Sequence, residues 1–275
     1  MFTPVTATPA EAPLRGLVAS AHKPPDDPNV RWESGFGWVP ERCGTNYQLL
    51  PWCDASDPAA FDDNRPGAVY YRPPAARFNR ECSVLGGGVD TGALRRAAEA
   101  ATPFVIAREL WEGDAGSGDT WNILGVSEQN MWLASPAAQT VTTAGTTFQA
   151  LLAALEHEAS AANQGQRIML HLPILLSGDL VQYVDVVGNN LITRSGNLVV
   201  IDAGYTGTGP AGQAVGATAW AYATSMVAVR TSPLALITEP DQTVDRSTNT
   251  VTAWAERVFA AYFDPCVHFA VEITI

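Results

Sequence analysis

The sequence predicts an α+β fold from three features: a C-terminal stretch alternating with a period of two, two helices with apolar stripes at helical spacing, and a glycine-turned hairpin. The C-terminal stretch is the clearest. Over residues 249–263, Val251, Ala253 and Ala255 alternate with Thr250, Thr252, Trp254 and Glu256, a half-buried strand pattern with β-branched and aromatic residues. Ala253, Trp254, Val258 and Ala261 also fit a helix, and the strand is the preferred reading. Asp264-Pro265 breaks the run, because proline removes a ladder donor and fixes its own φ. Beyond it, Val267, Phe269, Val271, Ile273 and Ile275 alternate with His268, Ala270, Glu272 and Thr274, so a second strand follows.

Composition bounds the rest. At 275 residues, 47% of them apolar and 16% charged, the chain can bury a substantial core. Its formal charge of −12 argues against sequence-specific nucleic-acid binding, which needs clustered cations. No apolar run reaches the length of a membrane span, and the N-terminus lacks a basic start with an apolar core. A soluble chain with no membrane partner is expected.

Residues 1–30 hold six prolines among Thr and Ala and no apolar period. Such a segment is either a disordered leader or an extended arm that orders against a neighbouring subunit. From 30 to 85 the texture turns aromatic, with Trp32, Phe36, Trp38, Tyr47, Trp52, Tyr70, Tyr71 and Phe78 among Gly, Pro and Asp. Short strands and long loops are expected there, packed on the body or on another chain. Cys43, Cys53 and Cys82 fit no common zinc spacing, and no His lies among them. Buried free thiols are the preferred reading, with a disulfide formed late in a released particle as the alternative.

A helix opens at Asp90 or Thr91, and Pro103 bends or ends it before Phe104 to Trp111 resume it. A second helix is expected from Thr146, with Gln149 completing a capping box and Phe148, Leu151, Leu152, Leu155 and Ala159 as its buried stripe. Arg167-Ile-Met-Leu-His-Leu172 reads as a strand. Pro173 then starts a helix with Leu176, Leu180, Val181 and Val184 on one face, ended by Gly188. Leu191-Ile-Thr and Leu198-Val-Val-Ile201 form a hairpin around Gly196-Asn197. A flexible glycine-rich loop from 204 to 216 and an apolar strand region from 220 to 229 complete the order.

Catalytic signatures are sparse. Gly116-Ser117-Gly118 lacks the Gly-Lys-Ser/Thr ending of a phosphate loop, His157-Glu158 lacks a second His, and no Gly-x-Ser-x-Gly elbow occurs. Cys266 and His268 share a strand face, where core or sheet-surface roles are the ordinary reading, and Asp202 is an acid with no evident partner. No catalytic, cofactor or metal residues are assigned, and a small-molecule enzyme is the least favoured class.

The order carries a resemblance. Glu256-Arg-Val, then Asp264-Pro265 and a short apolar strand, resembles the C-terminal end of tailed-phage major capsid proteins. The Thr-x-Ser-Gly-x-Leu-Val-Val hairpin from Thr193 resembles part of their axial domain, and Arg-Glu-Leu-Trp at 108–111 and Tyr-x-Gly-x-Gly-Pro at 205–210 are similar to stretches of actinobacterial-phage structural proteins. These proteins share the Hong Kong 97-like capsid fold with encapsulins. The resemblance implies an N-terminal arm (1–30), an extended-loop, aromatic-rich region (31–89), a peripheral domain with a spine helix (90–145), an axial domain (146–248), and C-terminal strands (249–275) returning to the peripheral domain. It implies a shell subunit without cofactors that assembles with itself as pentamers, hexamers or both. Scaffold, decoration or portal proteins are further partners, and the location is the virion capsid, assembled in the host cytoplasm. An encapsulin-like compartment or another virion part, such as a decoration or tail protein, are the alternatives. Trp32, Phe36, Trp38, Trp52, Tyr70, Tyr71 and Tyr205 are the expected assembly-interface residues. Some relatives weld subunits through a lysine in the extended loop. Here Lys23 is the one lysine and lies in the arm, so a shell without isopeptide bonds is expected.

Overall fold

A computed structural model describes residues 16–25, 31–38, 40, 69–83, 90–113, 121–123, 126–128, 130–143, 145–213, 215–237, 244–245 and 247–275. The first element, α1, is a single turn over Leu17–Ser20. A 3₁₀ turn at Trp32–Ser34 leads to β1 (Phe36–Trp38), which pairs antiparallel with β2 (Val69–Tyr71); β3 (Ala75–Ser83) follows. The long helix α2 spans Thr91–Glu112. Asp90 caps it by accepting the Ala93 N–H at 2.9 Å, and Gly113 ends it in the left-handed conformation. Pro103 does not break this helix. One missing donor is outweighed by a continuous buried stripe of Leu94, Ala98, Ile106 and Leu110.

β4 (Trp121–Ile123) and β5 (Val126–Glu128) form a small hairpin, and β6 (Gln139–Thr140) precedes α3 (Phe148–Ala162). The cap of α3 is Thr147, one residue later than predicted, accepting the Ala150 N–H at 3.3 Å. After β7 (Met169–Pro173) the predicted helix is a 3₁₀ stretch that stops at Gln182. Val184–Val187 is instead a strand, β8, because β-branched residues leading into the left-handed Gly188 suit a hairpin. β9 (Asn190–Thr193) and β10 (Leu198–Asp202) form the expected second hairpin. β11 (Thr218–Thr224), β12 (Ala228–Thr231), β13 (Ala235–Ile237), β14 (Val244–Asp245), β15 (Thr250–Tyr262) and β16 (His268–Thr274) complete the chain. The loop predicted to be flexible is tightly packed at two glycines. A Cβ on Gly204 would meet Phe104 O at 2.6 Å, and one on Gly209 would meet the Trp220 ring at 2.4 Å.

Two sheets result. The larger has seven strands in the order β6-β16-β11-β7-β10-β9-β8, with β7/β10 and β6/β16 parallel and the other pairs antiparallel. Alternation along β11 serves both of its faces. Ala219, Ala221 and Ala223 share a core with Leu152, Leu155 and Ala159 of α3, while Trp220 and Tyr222 share another with Ile106, Leu110 and Trp111 of α2. The second sheet is organised on β15, with β3 along one edge and β12, β13 and β14 along the other.

The two C-terminal strands therefore part company. β15 belongs to the second sheet, whereas β16 inserts between β6 and β11 of the first, so residues 249–275 do not return as a unit. The chain crosses between the sheets at 225–227 and at 263–267. The Asp264 N–H donates to Ser225 Oγ at 2.8 Å and ties the crossings together. Of the predicted arm, residues 16–25 lie on their own body. Leu17 is fully buried, and His22 bridges to Ala228.

Candidate functional site

Strand β15 decides which aromatic residues meet. Its odd-numbered residues Ala253, Ala255 and Phe259 join core clusters with α2, and its even-numbered residues point the other way. On that outer face Ala260, Val258 and Tyr262 gather Trp32, Phe36, Trp38 and Tyr71 from the 3₁₀ turn and the β1–β2 hairpin. Phe36 lies 4.9 Å from Tyr262 edge-on, 5.6 Å from Tyr71 and 5.8 Å from Trp38, and Trp38 lies 5.0 Å from Tyr262. These are favourable aromatic separations. Trp32 and Tyr71 are buried by the cluster, while Phe36, Trp38 and Tyr262 remain half-buried. The Tyr71 hydroxyl accepts the Ala261 N–H at 3.3 Å; burial pushes its pKa up, opposed by that bond and assisted by the Glu109 charge.

Tyr70 points to the other side of β2, where a Cβ on Gly37 would meet its ring at 2.7 Å. Trp52, Cys43 and Cys53 fall outside the described residues. Arg230 pairs in register with Ala260, so it shares the outer face, and its Nη1 is buried without a hydrogen-bond partner. Sequence reasoning missed Tyr262 and Arg230. The even–odd alternation of β15 could have found the tyrosine, but only the pairing with β12 brings the arginine beside it.

Tyr205 is corrected. It is a core residue, 3% exposed, and lies 4.9 Å from Trp111 with its hydroxyl 2.9 Å from His171 Nδ1. No neighbouring subunit could reach it. A buried polar layer surrounds it. His171 Nε2 lies 2.9 Å from Thr224 Oγ1, and His268 Nε2 lies 2.8 Å from Leu133 O. Burial and the nearby His268 lower the pKa of His171 to about 3. Burial lowers that of His268 to about 4, against the Leu133 carbonyl, which raises it.

The remaining chemical candidates are also tied down. Asp202, expected to have no partner, accepts the Leu17 and Gly204 N–H groups at 2.9 Å each. Desolvation raises its pKa, and those two bonds oppose the rise. Cys266 is disulfide-bonded, so no free thiol faces His268. His157 and Glu158 are exposed on α3. A groove beside α3 is lined in part by Gln149, Glu156, Tyr183 and Arg194. There Glu156 accepts from Thr193 Oγ1 at 2.6 Å, Asn197 Nδ2 at 2.7 Å and the Tyr183 hydroxyl at 2.8 Å. This carboxylate is spent on pinning the β9–β10 turn to the helix. Among the described residues no group of three or more His, Cys, Asp or Glu could hold a metal ion, and no helix is long and apolar enough to cross a membrane.

No protein-family profile and no curated protein matches the chain. Solved structures do. The capsid of an empty GTA particle superposes with a TM-score of 0.58 at 10% identity, over 100% of this chain and 95% of that one. The SrpI encapsulin from Synechococcus elongatus gives 0.56 at 7% identity, over 99% and 93%. A structure from Gordonia phage Cozz gives 0.51 at 14% identity, over 98% and 89%. At such identities the likeness is one of fold, and it runs the whole length of the chain: this protein has the Hong Kong 97-type shell fold that phage capsids and encapsulins share.

Proposed function

We propose that this chain is a major capsid subunit that assembles with itself, as pentamers, hexamers or both, into the icosahedral head shell of a tailed phage. The observation that carries the reading is end-to-end coverage in both directions with the capsid of the empty GTA particle. The outer face of β15 supports it: half-buried aromatic rings beside an arginine nitrogen lacking an acceptor are what an unassembled interface presents. The buried, hydrogen-bonded state of His171, Asp202 and His268 leaves these groups no access to a substrate, in keeping with a mechanical role. An encapsulin-like compartment is the second reading, favoured by the equally extensive match to the SrpI encapsulin.

Negative-stain microscopy of the chain expressed alone, or with its neighbouring genes, is expected to show closed shells; discrete small oligomers would overturn both readings. Particles recovered from phage lysates should contain genomic DNA under the first reading, and enclosed protein under the second. Lys23, the one lysine, lies beside His22 at the first crossing, and residues 31–89, which would have to present a welding lysine, contain none. Boiled, reduced particles should therefore run as a single subunit band. A ladder surviving reduction would show a covalent weld that this assignment does not allow.

A further inference from the structure

The seven-stranded sheet has one end at the crossings to the second sheet and one end away from them. β11 closes at Thr224 and β16 opens at His268, so both crossings leave from the first end. Register fixes what lies at the second. Pro173 at the close of β7 pairs with Asp202 at the close of β10, and Thr218 at the start of β11 pairs with Thr274 of β16. Ile275 continues that ladder by donating its N–H to Ala217 O at 2.9 Å. The β8–β9 turn, where Val187 pairs with Asn190, falls at this end too, because β9 runs antiparallel to β10.

Apolar side chains collect there. Among the described residues eight large hydrophobic side chains are exposed, and six belong to this end: Ile174, Leu175, Val186, Val187, Val215 and Ile275, each 38–60% exposed. A Cβ on Gly207 would meet Val215 at 3.3 Å and Pro173 at 3.5 Å, so Val215 sits beside the start of the 3₁₀ stretch that carries Ile174 and Leu175. The other two, Phe104 and Leu236, lie in α2 and β13. Single aliphatic residues scattered over a surface are ordinary, whereas a row of six along one end calls for a partner. Five strand spacings separate β16 from β8, so the row is about 24 Å long. Charge narrows the partner. Residues 174–190, 206–219 and 272–275, which build this rim, hold Asp179, Asp185 and Glu272 and no Lys or Arg. Such a set repels the phosphates of nucleic acid and of anionic lipid. Size narrows it further. A sheet about 10 Å thick gives the rim roughly 250 Å², against about 800 Å² per partner in a stable pairwise interface. So small a patch does not hold a lone partner, but it adds to the binding of copies already joined by other contacts.

We propose that this aliphatic rim is a contact between copies of the chain, rim against rim, and that its occupant is the same rim of a second copy. The inference rests on the self-assembly reading and adds to it a contact separate from the aromatic face of β15. Aliphatic meets aliphatic there, and the flanking acids stay in solvent.

The test uses the full chain. Leu175→Glu and Val187→Glu each put a charge on the rim, and Phe104→Glu puts the same charge on α2, away from it. All three side chains are exposed, so the subunit should fold and melt as the native chain does. The rim variants should lower the yield of assembled particles by about tenfold or more in sedimentation and microscopy, and Phe104→Glu should not. In a second measurement a photo-crosslinking residue replaces Val187 in an otherwise native chain. Illuminated particles should give covalent dimers whose linked peptide comes from 174–190, 206–219 or 272–275 of the second copy. This reading holds even where a charged rim variant fails to fold. Rim variants that assemble like the native chain would overturn the contact and leave the shell reading standing. An equal loss in Phe104→Glu would make added charge the cause and overturn it as well. Dimers linked elsewhere, or links to a different protein, would give the rim another occupant. A native chain that forms no particles would remove the shell reading and this contact together.

Discussion

Two aromatic clusters built from the same residue types sit on opposite sides of β15 and play opposite parts. The inner one joins Trp111, Tyr205, Tyr222 and Phe263 to the buried imidazoles, and its polar tips are occupied. Trp111 Nε1 donates to Thr208 Oγ1 at 3.0 Å, the Tyr222 hydroxyl donates to Thr208 O at 3.0 Å, and the Tyr205 hydroxyl meets His171. The outer one gathers the half-buried rings of Phe36, Trp38 and Tyr262 against the buried Tyr71. Aromatic content alone distinguishes neither. The face of the strand does, because α2 packs on one side of β15 while, among the described residues, the 3₁₀ turn and the short strands β1 and β2 pack on the other.

The sharpest way to break this contrast is to truncate one ring on each side. Trp111→Ala should destabilise the subunit by about 3–5 kcal/mol, the usual cost of emptying a large buried aromatic site, read as a lowered denaturation midpoint. An effect below about 1 kcal/mol would mean that the inner cluster is not a core.

Acid should strike the inner side alone, with a loss on the order of several kcal/mol by pH 4. Above about pH 6.5 the imidazoles of His171 and His268 are neutral whether folded or not, and stability is at its full value. Below that the unfolded chain takes up protons that the fold refuses, so stability falls until about 4 for His268 and about 3 for His171. Asp202 works in the opposite sense, since its raised pKa makes the fold easier to hold as pH drops through its own range. Denaturation midpoints between pH 7 and 4 check this, and His268→Gln should flatten the slope. An unchanged slope in that variant would show that the imidazole is not what titrates.

On the outer side, Trp38→Ala should weaken assembly by more than about 1 kcal/mol per contact while lowering the isolated subunit's midpoint by less than that. The reverse pattern would place Trp38 with the core. Smallest of all, Arg77→Ala removes the 2.7 Å ion pair with Glu256 on the same face; most of the arginine side chain is exposed, so less than about 0.5 kcal/mol is expected in a thermal melt.

Much of this was legible from side-chain order. The alternation through β15 and β16, the break at Asp264-Pro265, the Gly196 hairpin and the capped helix at Asp90 all follow from local chemistry. Period, however, reports which face a residue takes and never which strand lies beside it. That is why β15 and β16 read as companions although they sit in different sheets. Val184 fitted the helical stripe begun at Leu176, but the left-handed turn at Gly188 turns residues 184–187 into a strand. Tyr205 was expected at an interface, yet Gly204 before it lets the chain lie close against α2 and Gly209 after it lets the chain lie close against Trp220. Of the seven aromatic residues expected at an interface, four gather in one cluster, a fact that depends on the β1–β2 hairpin folding over β15.

The strand order of the larger sheet has a consequence for synthesis. β16, the last strand along the chain, occupies an interior position between β6 and β11, and β15, just before it, carries every partner strand of the other sheet. A polypeptide interrupted anywhere before Pro265 leaves β11 with a bare edge, and one interrupted before Thr250 has no second sheet at all. Pairings such as β3 with β15 also join residues far apart along the chain, which slows folding and holds it back until β15 has been made. Neither sheet, therefore, can close without the two strands that follow Asn249.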